Sequence, residues 1–180
     1  MKWSKITLGF MAGAVLVVSL TAQEPAKREK KLAKDVQASF ERLKKLVGEW
    51  QQVDPKDDAS KGKVMLRYRL TGGGTAVAET IFPDSDMEML SVYYADGDKL
   101  VLTHYCCAGN QPRMAAKPGA DKDELIFEFT GGSNLDAAKD GHIHNGKIRF
   151  VDADHLQSEW EFYTDGKPAA KHSFDLVRNK

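Results

Sequence analysis

The densest run of chemically useful side chains is Thr103-His104-Tyr105-Cys106-Cys107, followed at once by Gly109-Asn110-Gln111-Pro112-Arg113-Met114. It holds both cysteines of the chain and one of its five histidines. An imidazole and a thiol two positions apart suggest a nucleophilic dyad. On a strand, however, side chains at i and i+2 stand about 7 Å apart, too far for direct proton transfer. The alternative for Cys106 is a buried, inert thiol. Cys106 and Cys107 are sequence neighbours, so a disulfide between them would staple no loop, and both read as free. Arg113, beside Pro112, is suited to a carboxylate or to solvent.

Further histidines lie at 142, 144, 155 and 172. His142 and His144 share the two-residue spacing that puts side chains on one face of a strand. Imidazole, thiolate and thioether together suit haem iron, copper or zinc, which makes His104, Cys106, His142, His144 and His172 the candidate metal ligands. The same histidines are competent as general bases, or as polar groups that only satisfy one another inside a core. No phosphate-binding loop, no serine-nucleophile elbow and no spaced cysteine-pair zinc motif is present.

The elements that must position these residues follow from hydropathy. Residues 1–22 read as an export signal: Lys2 and Lys5, an apolar run from Ile6 to Leu20, and a small-residue site after Ala22. That run is short for a membrane span of about 20 residues, and an uncleaved N-terminal anchor is the alternative. Either way the expected setting is periplasmic or extracellular. The whole chain has 26 basic and 26 acidic residues. Losing Lys2 and Lys5 leaves a slight acidic excess, which argues against a nucleic-acid or anionic-lipid partner. Residues 23–34 form a polar tether or frayed helix start. Leu32, Val36, Phe40, Leu43 and Val47 then recur with helical spacing up to Gly48.

Beyond Gly48 the period becomes two. Ten strand-like runs follow, near 49–53, 62–71, 75–82, 88–95, 98–107, 111–117, 123–130, 142–151, 155–164 and 168–178, separated by Gly, Asp and Pro turn signals. Short strands without helical crossovers predict an all-β, antiparallel up-and-down barrel of about ten strands, in one domain from residue 35 to 180 with the N-terminal helix packed on it. The polar stretch 131–141 is expected to be a mobile loop at its mouth.

Pairing registers are inferred from keeping apolar residues on one face. A three-residue loop at Asp165-Gly166-Lys167 pairs Leu156 with Leu176, Ser158 with Phe174, Trp160 with His172 and Phe162 with Ala170. A loop at Asp152-Ala153-Asp154 pairs Phe150 with Leu156, Gly146 with Trp160, His144 with Phe162 and His142 with Thr164. A loop at Gly72–Gly74 puts Leu66, Tyr68 and Leu70 with Ala76, Ala78 and Thr80, and Arg67 opposite Glu79 outside. A turn at Asp96-Gly97 sets His104 against Met89 and Cys106 against Met87. These registers bring His104, His142, His144 and His172 to one interior, with Tyr68, Tyr93, Trp160 and Phe162.

Gly48-Glu49-Trp50, after a short helix and opening the first strand, resembles the Gly-x-Trp signature of lipocalins and their calycin relatives. The resemblance implies that Trp50 plugs the closed end of a barrel and that Arg178, on the last strand, packs over it. Thr103–Cys106, Gly109–Met114, Asp152–Leu156 and Glu159-Trp160 are similar to stretches of exported bacterial proteins, a likeness that implies a lipocalin-like barrel and no particular activity. The strand count is also similar to the haem-binding nitrobindin barrels, which implies a possible haem on an inner-wall histidine. The resulting expectation is an exported barrel binding a small apolar or amphipathic molecule through Tyr68, Tyr93, His104, His142, His144, Trp160, Phe162 and His172. A haem or metal protein and a histidine-base enzyme are the alternatives.

Overall fold

In a computed structural model, residues 33–55, 61–117 and 122–180 are described. The expected signal and most of the tether lie outside them. The helix α1 spans Lys34–Lys44 and buries Val36, Phe40 and Leu43. Ten strands follow: β1 Gly48–Gln52, β2 Val64–Thr71, β3 Ala76–Ile81, β4 Met89–Asp96, β5 Lys99–Tyr105, β6 Gln111–Ala116, β7 Glu124–Ser133, β8 His142–Phe150, β9 His155–Thr164 and β10 Lys167–Arg178. Each pairs antiparallel with its sequence neighbours, and β1 pairs with β10, so the sheet closes as an up-and-down barrel. Closure leaves no unpaired edge. No helix among the described residues is long and apolar enough to cross a membrane.

Strand alternation sorts the connections into two ends. Four of them (72–75, 97–98, 117–123 and 151–154) share one end with the start of β1 and the finish of β10. That end is closed. Trp50 is fully buried and its Nε1 donates to the Leu46 carbonyl at 2.8 Å. The Arg178 guanidinium lies 4.4 Å from the Trp50 ring centroid. It also donates to the carbonyls of Val47, Lys45 and Ala153 and to Asp154 Oδ1. Guanidinium over indole, with each of its three nitrogens donating to oxygen, ties β10, the segment after α1 and the β8–β9 turn together. Gly48 sits at φ +132° and a Cβ there would meet Arg178 at 2.9 Å, so only glycine leaves room for the stack.

The registers hold in part. In β9–β10, Leu156, Ser158, Trp160 and Phe162 oppose Leu176, Phe174, His172 and Ala170 as expected. The turn is tighter than expected: Thr164 pairs with Lys167 around Asp165-Gly166, both at positive φ. The extra residue is absorbed at a bulge between Pro168 and Ala170, where proline has no ladder N–H to lose. In β4–β5 the turn is Gly97-Asp98, two residues of register away from the expectation, so His104 faces Ser91 rather than Met89. Met87 precedes β4 altogether.

Two differences matter more. The β2–β3 loop takes four residues, Gly72 to Thr75, with Thr75 Oγ1 donating to the Gly72 carbonyl at 2.7 Å. Tyr68 therefore pairs with Glu79. Val77 and Ile81, larger than Ala76 and Ala78, take the inward parity and carry Glu79 in with them. Arg67 instead meets Glu49 at 2.8 Å and Asp84 at 3.1 Å. In β8–β9, Gly146 opposes Trp160 as expected, but a bulge at His144 then pairs Ile143 with Phe162 and His142 with Tyr163. The 131–141 stretch is not a free loop. β7 runs to Ser133, and Asp136 accepts from the Ala138 N–H and the Lys139 ammonium and receives the Asp140 N–H on its carbonyl.

Candidate functional site

The end opposite Trp50 and Arg178 contains a cavity of about 300 Å³, at the small end of the range for ligand sites. Its walls come from seven strands, β2 to β5 and β8 to β10, and from two connections. Leu66, Ile81, Ile143, Trp160, Phe162, Met87 and Met89 line it, with Phe82 and Phe174 in contact at 6.0 Å between ring centroids. Cys106, Cys107 and His172 also border it, and both thiols are free. The Trp160 ring occupies the space over Gly146, where a Cβ would lie 2.0 Å from it. Phe127 stacks on Trp160 at 6.5 Å and meets Tyr93 at 5.6 Å.

Besides His172 and the two thiols, the polar groups of the cavity are Glu79, Ser91 and His104, which stand side by side across β3, β4 and β5. Glu79 is buried on β3, a placement that costs several kcal/mol unless its oxygens are hydrogen-bonded. They are. Tyr68 donates to Oε1 at 2.5 Å and Tyr93 to Oε2 at 2.7 Å, lengths typical of O–H···O⁻ bonds to an ionised carboxylate. Ser91, the cross-strand partner of Glu79, places its hydroxyl on the same side and also favours the charged form. Burial pushes the Glu79 pKa above the usual carboxylate value, and these donors pull against it. Burial, then the adjacent Glu79, hold both phenols well above their ordinary range, so they stay protonated donors. Ser91 Oγ also lies 3.0 Å from His104 Nδ1. His104 Nε2 is buried with no hydrogen-bond partner. Desolvation lowers the His104 pKa to about 4, so the ring is neutral at physiological pH.

Of the residues expected to line an interior, His104, Trp160, Phe162 and His172 do so. Tyr68 and Tyr93 stand behind the lining and hold Glu79. His142 and His144 do not border the cavity. Register puts His142 opposite Tyr163, on the parity of Glu159 and Glu161 rather than of Trp160 and Phe162. There His142 Nδ1 bonds the Asp140 carbonyl at 2.8 Å and its Nε2 bonds His144 Nδ1 at 3.0 Å. His144 stacks on Tyr163 at 3.9 Å and on Phe129 at 4.5 Å. The expected cluster of four histidines is thus split by one bulge. Among the described residues no three of His, Cys, Asp and Glu converge as a metal site.

Sequence reasoning placed Glu79 outside, opposite Arg67, and set His104 against Met89 rather than Ser91. A signal was available: Val77, Glu79 and Ile81 share a parity, and Val and Ile outbid two alanines for the interior. Chemically, the arrangement can receive a hydrogen bond or a Lewis acid at Nε2 of His104. Proton abstraction there is weak, since a base titrating about 4 lies far from the pH at which it would act.

Fold and site together define a closed ten-stranded up-and-down β-barrel, plugged at one end by Trp50 under Arg178 and hollow at the other. No protein-family model matches the chain, and no curated protein matches it.

Proposed function

We propose that this chain is an exported, lipocalin-like binding protein that holds one small apolar or amphipathic molecule in the barrel. The observation that carries the reading is the cavity itself: aromatic and aliphatic walls surrounding one polar cluster, at the end away from the Trp50 plug. Ligand sites have this composition, with apolar area for affinity and a few fixed polar groups for orientation. The Gly48-Glu49-Trp50 signature with Arg178 over the indole supports the lipocalin likeness. The apolar leader at residues 6–20 supports export.

A haem or metal on an interior histidine has one observation in its favour, the partnerless Nε2 of His104. His142 and His144 do not border the cavity, and among the described residues no triad of ligands converges on it.

The test is a thermal-shift and tryptophan-fluorescence titration of the mature chain with small lipophiles, with an absorbance spectrum recorded with and without haem. A rise in Tm with quenching of Trp160, lost in Phe162→Asp, supports the binding reading. A haem absorption band that vanishes in His104→Ala replaces it with the second. No response to either probe overturns both.

A further inference from the structure

We infer that the cavity selects a neutral amphiphile that presents a hydrogen-bond donor, a hydroxyl or an amide N–H, to Nε2 of His104. The inference deepens the binding reading above and rests on it. It follows from the direction in which protons must run through Glu79, Ser91 and His104.

Start at the carboxylate. Glu79 accepts on both oxygens, from Tyr68 at 2.5 Å and Tyr93 at 2.7 Å, at the lengths of bonds to an ionised acceptor. Ser91 is the cross-strand partner of Glu79, and an ionised carboxylate offers no proton, so between the two only the serine O–H can donate. The Ser91 oxygen then has only lone pairs for His104. The 3.0 Å contact with Nδ1 therefore requires N–H on Nδ1. In a neutral imidazole the other nitrogen is then a bare acceptor. Burial keeps the ring neutral, with a pKa of about 4.

That acceptor is Nε2, which is buried and has no partner within the protein. A buried acceptor left unpaired costs about 1–3 kcal/mol. His104 lines the cavity, so a ligand donor is the group positioned to relieve the cost. The same three residues disfavour a carboxylate ligand. Every proton of the polar cluster is already committed inward, and the only charge is the Glu79 anion. At this cluster an anionic head would meet like charge and no donor.

Three probes with one apolar body separate the possibilities: para-butylphenol, para-butylanisole and para-butylbenzoate, titrated calorimetrically into the mature protein. The phenol is expected to bind about tenfold more tightly than the anisole, the worth of one hydrogen bond to a buried acceptor. The benzoate is expected to show no binding. In His104→Phe the phenol and anisole should bind alike. A long-range proton–nitrogen NMR spectrum of the unliganded wild type should show His104 protonated on Nδ1 and bare on Nε2. Equal affinity for phenol and anisole in the wild type, or tightest binding of the benzoate, overturns the selectivity while leaving the binding reading intact. Failure of all three probes to bind removes the binding reading itself. A spectrum with the proton on Nε2 overturns the acceptor assignment whether or not any variant folds.

Discussion

Tyr93 reaches across from β4 to donate its hydroxyl to Glu79 Oε2 at 2.7 Å, inside a barrel where neither residue is open to solvent. Tyr68 approaches the other oxygen from β2. A carboxylate on the central strand of three is thus clamped from both neighbours, which lets the barrel carry a buried anion close beneath an apolar cavity.

Removing either phenol should cost about 1.5–3 kcal/mol, the usual worth of a hydrogen bond to a charged group. Tyr68→Phe and Tyr93→Phe each keep the ring and its packing. Urea melts of the two single variants and the double variant should show non-additive losses, because both bonds serve one carboxylate. Additive losses below 0.5 kcal/mol each would argue that the carboxylate does not depend on them.

Gly146→Ala should destabilise the barrel by about 1–3 kcal/mol through overpacking. A Cβ at 146 would lie 2.0 Å from the Trp160 ring, and Trp160 is held on its other side by Phe127. Displacing the indole should also alter its fluorescence and reduce the space in the cavity, so a shifted emission maximum with weakened probe binding is the accompanying readout. An unchanged Tm and spectrum would contradict the packing described.

Arg178→Ala should cost about 2–3 kcal/mol, since it removes the stack on Trp50 and the bonds to three carbonyls and Asp154. Arg178→Lys should recover little, because an ammonium has no planar fork to spread over an indole while serving four oxygens. Chemical denaturation of the three proteins side by side measures this.

Stability should fall as pH is lowered from about 6.5 towards 4. His104 has its pKa depressed from 6.5 to about 4 by burial, so in that window the unfolded chain binds a proton that the folded chain refuses. The term is absent above the unfolded value and grows to about 3 kcal/mol at its low end, from 1.36 kcal/mol per unit. His144, depressed by burial and by His142, acts in the same sense. Glu79, raised by burial, acts in the opposite sense and gains protons in the folded state first. His104→Phe should flatten the acid limb of the Tm–pH curve. An unchanged limb would show that His104 is not the group responsible.

The architecture was legible because strand periodicity and turn chemistry are local. All ten strands fall within a few residues of the runs read from alternation. The β9–β10 register was recoverable because Leu156, Trp160 and Phe162 have only one parity that keeps them together. The Trp50–Arg178 stack was expected only from the Gly-x-Trp resemblance, and the structure shows it with the guanidinium 4.4 Å from the indole centroid.

The polar centre was not legible, for a physical reason. Lengthening the Gly72 turn by one residue, or inserting one at His144, costs little locally, yet each reverses the facing of whole strand segments. What decides between the alternatives is non-local. Val77 and Ile81 gain more by burial than Ala76 and Ala78 would, and Tyr68 and Tyr93 stand ready to satisfy the carboxylate that comes with them. On β8, Gly146 must sit under Trp160 while Ile143 meets Phe162, and only a bulge between them permits both. The sequence by itself determined an antiparallel meander of ten strands behind one helix, and the β1–β10 pairing of the tertiary structure closed it. Only the tertiary structure decided that Glu79 lines the cavity while His142, itself buried, and His144 pack away from it against Phe129 and Tyr163, because those placements depend on which distant side chains fill the same space.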